Sequence, residues 1–196
     1  MASHDARFWQ QTLDKRLDGS LAAVASLRER MPAITAMCEA LAGVIRKGGT
    51  IYTAGNGGSA AQALHLAEEL IGRYRSNRPA MRAICLNADP TALTCIANDF
   101  GFEHVFARQA QALLTPSDAL VVFSTSGASA NIVQVLDVAR ERQTLCVGVL
   151  GNTGGASAER CDHAIIVPGS DSAHIQEAHQ VLLHLICERL EIAGER

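Results

Sequence analysis

Aromatic residues are scarce in this chain: Phe, Tyr and Trp together make up 4% of 196 residues, with a single Trp. Positive charge is not in excess either, since 17 Lys and Arg face 20 Asp and Glu for a net charge of -3. Without a basic surplus there is little to neutralise a phosphate backbone, so nucleic acid is not an expected partner. No apolar run reaches the roughly 18 to 20 residues of a membrane span, and the start MASHDARFWQ has no signal-peptide core. A soluble, cytoplasmic protein with no membrane partner is expected. The six cysteines (Cys38, Cys85, Cys95, Cys146, Cys161 and Cys187) never form CxxC and mostly sit among apolar neighbours, as in ICL and LIC. A chain of this size has no need of a disulfide framework, so they read as small buried hydrophobes.

What is present is apolar material and glycine. Hydrophobic residues reach 48% against 19% charged, enough for a core and too much for a disordered chain. With 16 Gly and abundant Ala, close backbone packing and glycine-rich turns are expected. The length suits one domain, or one domain with an appended pair of helices.

Residues 5 to about 31 read as one helix, with Phe8, Leu13, Leu17, Leu21, Val24, Leu27 and Met31 recurring every three to five positions. Pro32 ends it and opens a second helix running to about Lys47, stopped by Gly48 and Gly49. Two amphipathic helices in series must bury their faces on the rest of the domain or on another copy of the chain. From residue 50 short apolar runs alternate with helical segments. Strands are expected at 50–54, 82–86, 119–123, 145–150 and 164–167. Helices are expected near 58–73, 103–113 and 129–141, with a short turn near 155–160 and a terminal helix from about 172 to 191. Strands apolar throughout are buried on both faces, which predicts a doubly wound α/β sandwich with a parallel sheet. In such folds ligands sit beyond the carboxyl ends of the strands.

Three loops lie there. Gly55-Asn56-Gly57-Gly58-Ser59 leads from the first strand into a helix, and matches neither the dinucleotide fingerprint nor a P-loop. Its glycines allow backbone N–H groups to approach a ligand, although such turns also arise for steric reasons alone. The third strand ends in Ser124-Thr125-Ser126-Gly127-Ala128-Ser129. Helix capping would use one hydroxyl, and four around one glycine make a phosphate cradle without a cationic side chain. Gly151-Asn152-Thr153-Gly154-Gly155 is followed by no acid, base or hydroxyl cluster and reads as structural.

His65 and Glu69 are four residues apart and share a helix face, a spacing that serves either a surface hydrogen bond or two ligands to one metal. His184 lies within an apolar run of the terminal helix, where a core histidine is the plainer reading. Gln176 and His184 are about 12 Å apart along that helix, so they share one small site only by reaching toward each other or by coming from different subunits.

Taken together, the stretches AGNGGSAAQALHLAEELIGRYRSNRP, IANDFGF, FSTSGASAN and SAHIQEAHQVLLH resemble the phosphoheptose isomerases of the sugar isomerase (SIS) superfamily, over nearly the whole chain. The resemblance implies a three-layer αβα sandwich with a five-stranded parallel, flavodoxin-like sheet. It divides the chain into a helical pair used in oligomerisation (1–49) and a SIS domain (50–196). Ser124, Thr125, Ser126 and Ser129 match the family's phosphate loop. Asn56, Gly57 and Gly58 match its sugar-contacting turn, and Asn98 and Asp99 a further substrate contact. His65, Glu69, Gln176 and His184 match a zinc-binding and catalytic set, usually completed across the subunits of a homotetramer. Residues 170–174 depart from related sequences.

The implied reaction converts sedoheptulose 7-phosphate, a phosphorylated seven-carbon sugar, to glycero-manno-heptose 7-phosphate. Glu69 would act as the base at carbon, His184 as the acid/base at oxygen, and zinc at the carbonyl. The alternative is a non-catalytic relative, a replication-initiator-associating adaptor or a sugar-phosphate sensor. The adaptor branch lacks the catalytic carboxylate and the last histidine, both of which are present here.

Overall fold

The computed structural model describes residues 6–194. Helix α1 (Ala6–Ala25) leads through a 3-10 turn (Ser26–Arg30) into α2 (Met31–Arg46). There follow β1 (Ile51–Gly55), α3 (Gly58–Ile71), β2 (Ala83–Cys85), α4 (Pro90–Phe100) and, after a short 3-10 turn (Phe102–His104), α5 (Ala107–Leu113). The chain closes with β3 (Ala119–Ser124), α6 (Ala130–Glu141), β4 (Leu145–Gly151), α7 (Gly155–Ala158), β5 (His163–Val167) and α8 (Ser172–Gly194). The five strands form one parallel sheet in the order β2-β1-β3-β4-β5, the doubly wound order expected.

Alternation along the strands divides the core in two. Ile51, Val121, Phe123, Val147 and Ile165 face α2, α3 and α8, while Tyr52, Leu120, Val122, Leu150 and Ile166 face α5 and α6. Strands β1 and β3 are buried at every position, as parallel strands between helical layers must be. At the edges the rule relaxes: Ile84 of β2 is 43% exposed. Cys38, Cys85, Cys146 and Cys187 are buried and Cys161 is half-buried, and desolvation pushes the Cys146, Cys161 and Cys187 thiols up to about 12. Cys95 is the exception to the expected burial and lies exposed on α4.

Two helices differ from the sequence expectation. The single helix expected to residue 31 ends at Ala25, because Pro32 has no N–H to give the Arg28 carbonyl. Met31 N–H takes that carbonyl instead, which tightens the turn to 3-10 geometry. Arg30 then pins the turn by donating to Ile166 O at 2.7 Å and Ser26 O at 2.7 Å. The second difference is α4, which was not expected. Its signals were present: Asp89 caps the amides of Thr91 and Ala92, Pro90 stands in the first turn and Gly101 ends it. No residue of α4 is buried. The apolar row Leu13, Leu17 and Leu21 on α1 is also open to solvent at about 60% each. Among the described residues no helix is long and apolar enough to cross a membrane.

Residues 170–174 dock α1. Arg16 pairs with Asp171 at 3.1 Å and with Glu177 at 3.2 Å, and the His174 ring packs where a Cβ on Gly19 would sit.

Candidate active site

The carboxyl ends of β1 and β3 open onto the loops singled out in the sequence. Ser124, Thr125, Ser126 and Ser129 line a cavity of about 60 Å³ together with Asn56, Ser59, Phe123 and Gln176. The loop is shaped by its own hydroxyls: Ser124 Oγ accepts from Gly127 N–H at 3.0 Å and Ser126 Oγ from Ala128 N–H at 3.2 Å. Ser129 stands at the N-cap of α6 without a side-chain capping bond; the Ile132 and Val133 N–H groups close onto its carbonyl, which leaves the Ala130 and Asn131 amides and the Ser129 hydroxyl to meet an anion. Gly127 has φ +63°, and a Cβ there would overlap the Gly154 carbonyl. The third glycine loop therefore serves as the floor of the second, which is the structural part expected of it.

The first loop is tied to α6 by a reciprocal amide pair. Asn56 Nδ2 donates to Asn131 Oδ1 at 2.8 Å, and Asn131 Nδ2 donates to Asn56 Oδ1 at 2.9 Å. Asn56 thus holds the two loops in register. Gly57 has φ +56°, and Gly58 leaves room for the Gln176 amide.

About two to three turns further along α3, His65 Nε2 lies 3.2 Å from Glu69 Oε1. Helix α8 brings His184 alongside, its ring edge to face with His65 at a centroid distance of 5.5 Å. One ligand atom from each of His65, Glu69 and His184 falls within 4.8 Å of the others, a two-imidazole, one-carboxylate set of the kind zinc accepts. All three side chains are partly buried. Tyr74 stacks on His184 at 5.8 Å and 30°, and its hydroxyl donates to Glu188 Oε1 at 3.3 Å.

Not all predicted site residues converge. Gln176 lines the hydroxyl cavity, and its carbonyl accepts from Gln62 Nε2 at 2.7 Å. The amide that meets the histidines is that of Gln180, 3.0 Å from His65 Nδ1 and 3.2 Å from His184 Nε2. Asn98 and Asp99 lie exposed near the end of α4, paired with each other at 2.8 Å, and neither lines the cavity. Sequence reasoning missed Ser59, Asn131, Tyr74 and Gln180. Gln180 could have been found, since its spacing of four from His184 repeats that of His65 and Glu69.

A larger hollow of about 600 Å³ opens near the amino ends of the strands, lined in part by Lys47, Asp118, Arg140 and Asp162. Its carboxylates are occupied by backbone: Asp118 accepts from Thr50 N–H and Thr115 N–H, and Asp162 from Cys146 N–H. It lies at the end of the sheet opposite to where doubly wound folds place ligands.

A hydroxyl loop at the switch in strand order, with a flavodoxin-like sheet, is the arrangement of the SIS domain, and residues 18–151 match that family. Phosphoheptose isomerase 1 of Campylobacter jejuni is 46% identical over 155 residues, covering 79% of this chain and 81% of that one. The solved phosphoheptose isomerase of Francisella tularensis superposes with a TM-score of 0.90 at 29% identity, covering 93% of this chain and 98% of that one. That of Neisseria gonorrhoeae gives 0.88 at 34% identity, over 94% and 99%. The chain belongs to the phosphoheptose isomerases, a family of sugar-phosphate isomerases.

Proposed function

We propose that the chain converts D-sedoheptulose 7-phosphate to D-glycero-D-manno-heptose 7-phosphate through an enediolate. The observation that carries this reading is the convergence of His65, Glu69 and His184 within 4.8 Å, on the two helices whose first turns border the hydroxyl loop. A phosphate held by Ser124, Thr125, Ser126, Ser129 and the start of α6 leaves the sugar to run along α3 and α8 toward the triad. Asn56, Gly57, Gly58 and Gln176 border that path.

At the far end Glu69 takes the proton from the carbon next to the carbonyl and returns it to the neighbouring carbon. His184 moves the matching proton between the two oxygens. Positioned groups of this kind each contribute about 10² to 10⁴ in rate. His65, Glu69 and His184 suit zinc, which when bound would polarise the carbonyl as a Lewis acid.

The working form in this reading is a cytoplasmic homotetramer, with residues 1–49 as the oligomerisation element. The exposed row Leu13, Leu17 and Leu21 and the uncovered α4 support it, because surfaces of that kind call for a partner. Asn98 and Asp99 would then contact substrate in the site of a neighbouring copy, and Gln176 would be shared between sugar and metal in the same way. The test is to incubate the protein with sedoheptulose 7-phosphate, with and without a chelator, and look for the aldose product. Product formation supports the enzyme; binding without product returns the reading to a sensor or adaptor. Light scattering after gel filtration reads the oligomeric state.

A further inference from the structure

The Gln180 amide nitrogen stands between two histidine rings, 3.0 Å from His65 Nδ1 and 3.2 Å from His184 Nε2. An amide nitrogen carries two N–H groups and no available lone pair, so it donates in both contacts. Each ring nitrogen it meets is therefore an acceptor and carries no proton. With the amide in this orientation His65 carries its proton at Nε2, facing Glu69 Oε1 at 3.2 Å, and His184 at Nδ1. In this state the amide fills the space between two ring lone pairs, and a proton occupies the place beside Glu69 that a cation would take.

The surroundings keep these rings from simply swinging aside. Tyr74 stacks on His184, and His65 meets the same ring edge to face. Gln180 itself lies one turn before His184 on α8, so the helix holds its amide at the level of both rings. What remains free is the orientation of the amide, whose oxygen and nitrogen ends have nearly the same shape.

We propose that Gln180 selects the tautomers of His65 and His184, and that turning its amide over converts the pair from a metal-free to a metal-binding arrangement. With Oε1 toward the rings, Gln180 accepts from His65 Nδ1–H and frees the Nε2 lone pair beside Glu69. The same turn calls for a proton on His184 Nε2 and leaves Nδ1 as its free lone pair. An acceptor behind a metal-bound imidazole fixes the ring and raises its basicity, and removing such a group typically lowers metal affinity 10–100-fold. Gln180 is in this sense a positioning residue, and the inference rests on the metal reading of the triad given above.

The test uses the full chain with ¹⁵N-labelled histidine. Ring-nitrogen shifts are read without metal and with Zn²⁺, and Zn²⁺ affinity is measured by competition with a chromophoric chelator. In the unsubstituted protein His65 is expected as the Nε2–H form without zinc and the Nδ1–H form with it. Gln180→Leu is expected to lose affinity by about 10–100-fold. Gln180→Glu, which accepts but cannot donate, is expected to hold His65 in the Nδ1–H form before zinc is added and to bind zinc more tightly. These opposite signs are not those of a packing role. Equal losses in both variants, or unchanged affinity and shifts in both, would overturn the inference while leaving the metal site standing. Failure of the unsubstituted protein to bind zinc would remove the metal reading itself, and this inference with it.

Discussion

Arg78 Nε donates to Glu191 Oε2 at 3.0 Å across 113 positions of sequence, with the two side chains 1% and 9% exposed. The pair anchors a strap, the segment 72–82 that joins α3 to β2. Glu191 Oε1 also accepts from the N–H groups of Arg75 and Ser76 and from the Ser76 hydroxyl. Arg78 goes on to donate to the backbone carbonyls of Glu69 at 2.8 Å and Leu70 at 3.0 Å. The end of α3, where Glu69 sits, is thereby tied to the end of α8, and Tyr74 of the same strap is laid against His184.

Removing one partner of this pair strands the other charge in the interior. Arg78→Met or Glu191→Gln is expected to destabilise the protein by about 3–5 kcal/mol, and the double replacement by apolar residues to recover little of it, because the Arg75 and Ser76 N–H groups then lose their acceptor. Urea unfolding of the two single variants and the double one checks this. Single losses below about 1 kcal/mol would mean that the strap does not depend on the pair.

Glu69→Gln keeps the side-chain volume and removes the carboxylate proposed as the base. Turnover of sedoheptulose 7-phosphate should fall by about 10² to 10⁴ while affinity for the phosphate end changes little. Steady-state kinetics alongside competition by inorganic phosphate separates the two effects, and retained turnover would end the assignment.

Gly127 stands at φ +63° against the Gly154 carbonyl, so Gly127→Ala meets both a strained backbone and a contact that only the neighbouring loop can relieve. A loss of about 1–3 kcal/mol in stability is expected from the dihedral alone. The hydroxyls should lose their alignment as well, raising KM more than it lowers kcat. Equal effects on both parameters would show that the loop does more than bind.

Acid should weaken the fold in two stages. Burial holds the His179 pKa at about 4, below its ordinary 6.5, against a smaller opposing pull from the Leu150 backbone. The neutral ring is native and the unfolded chain binds the proton first, so its contribution is complete above pH 6.5 and is lost as pH falls toward 4, roughly 3 kcal/mol in all. Burial would raise the Glu191 pKa, but hydrogen bonds from Ser76, Arg78 and Arg75 outweigh it and bring it from 4.5 to about 2. That contribution is present above pH 4.5 and is lost from there toward pH 2. Urea midpoints across pH, compared with His179→Leu, should show the first stage vanish in the variant and the second remain.

The sheet was legible because its signals are local. Each inner strand is a short apolar run between glycine-rich turns, and burial on both faces follows from that composition alone. The hydroxyl loop was legible for the same reason, since its four hydroxyls and its glycine are neighbours in sequence. Helix α4 carries equally local signals, with caps in Asp89, Pro90 and Gly101 and an apolar row of Leu93, Ala97 and Phe100, so it too was legible there.

The triad divides along that line. The spacing of His65 and Glu69 places them on one helix face whatever the rest of the chain does, because the helical period is a property of the backbone. That His184 joins them, that Gln180 and not Gln176 provides the amide between the rings, and that Arg78 reaches Glu191 depend on how α3, the strap and α8 pack together. Residues four apart on α8 face nearly the same way, and periodicity alone cannot choose between them. The packing of α8 against α3 makes that choice, by bringing one turn of the helix to His65 and the turn before it to the hydroxyl loop.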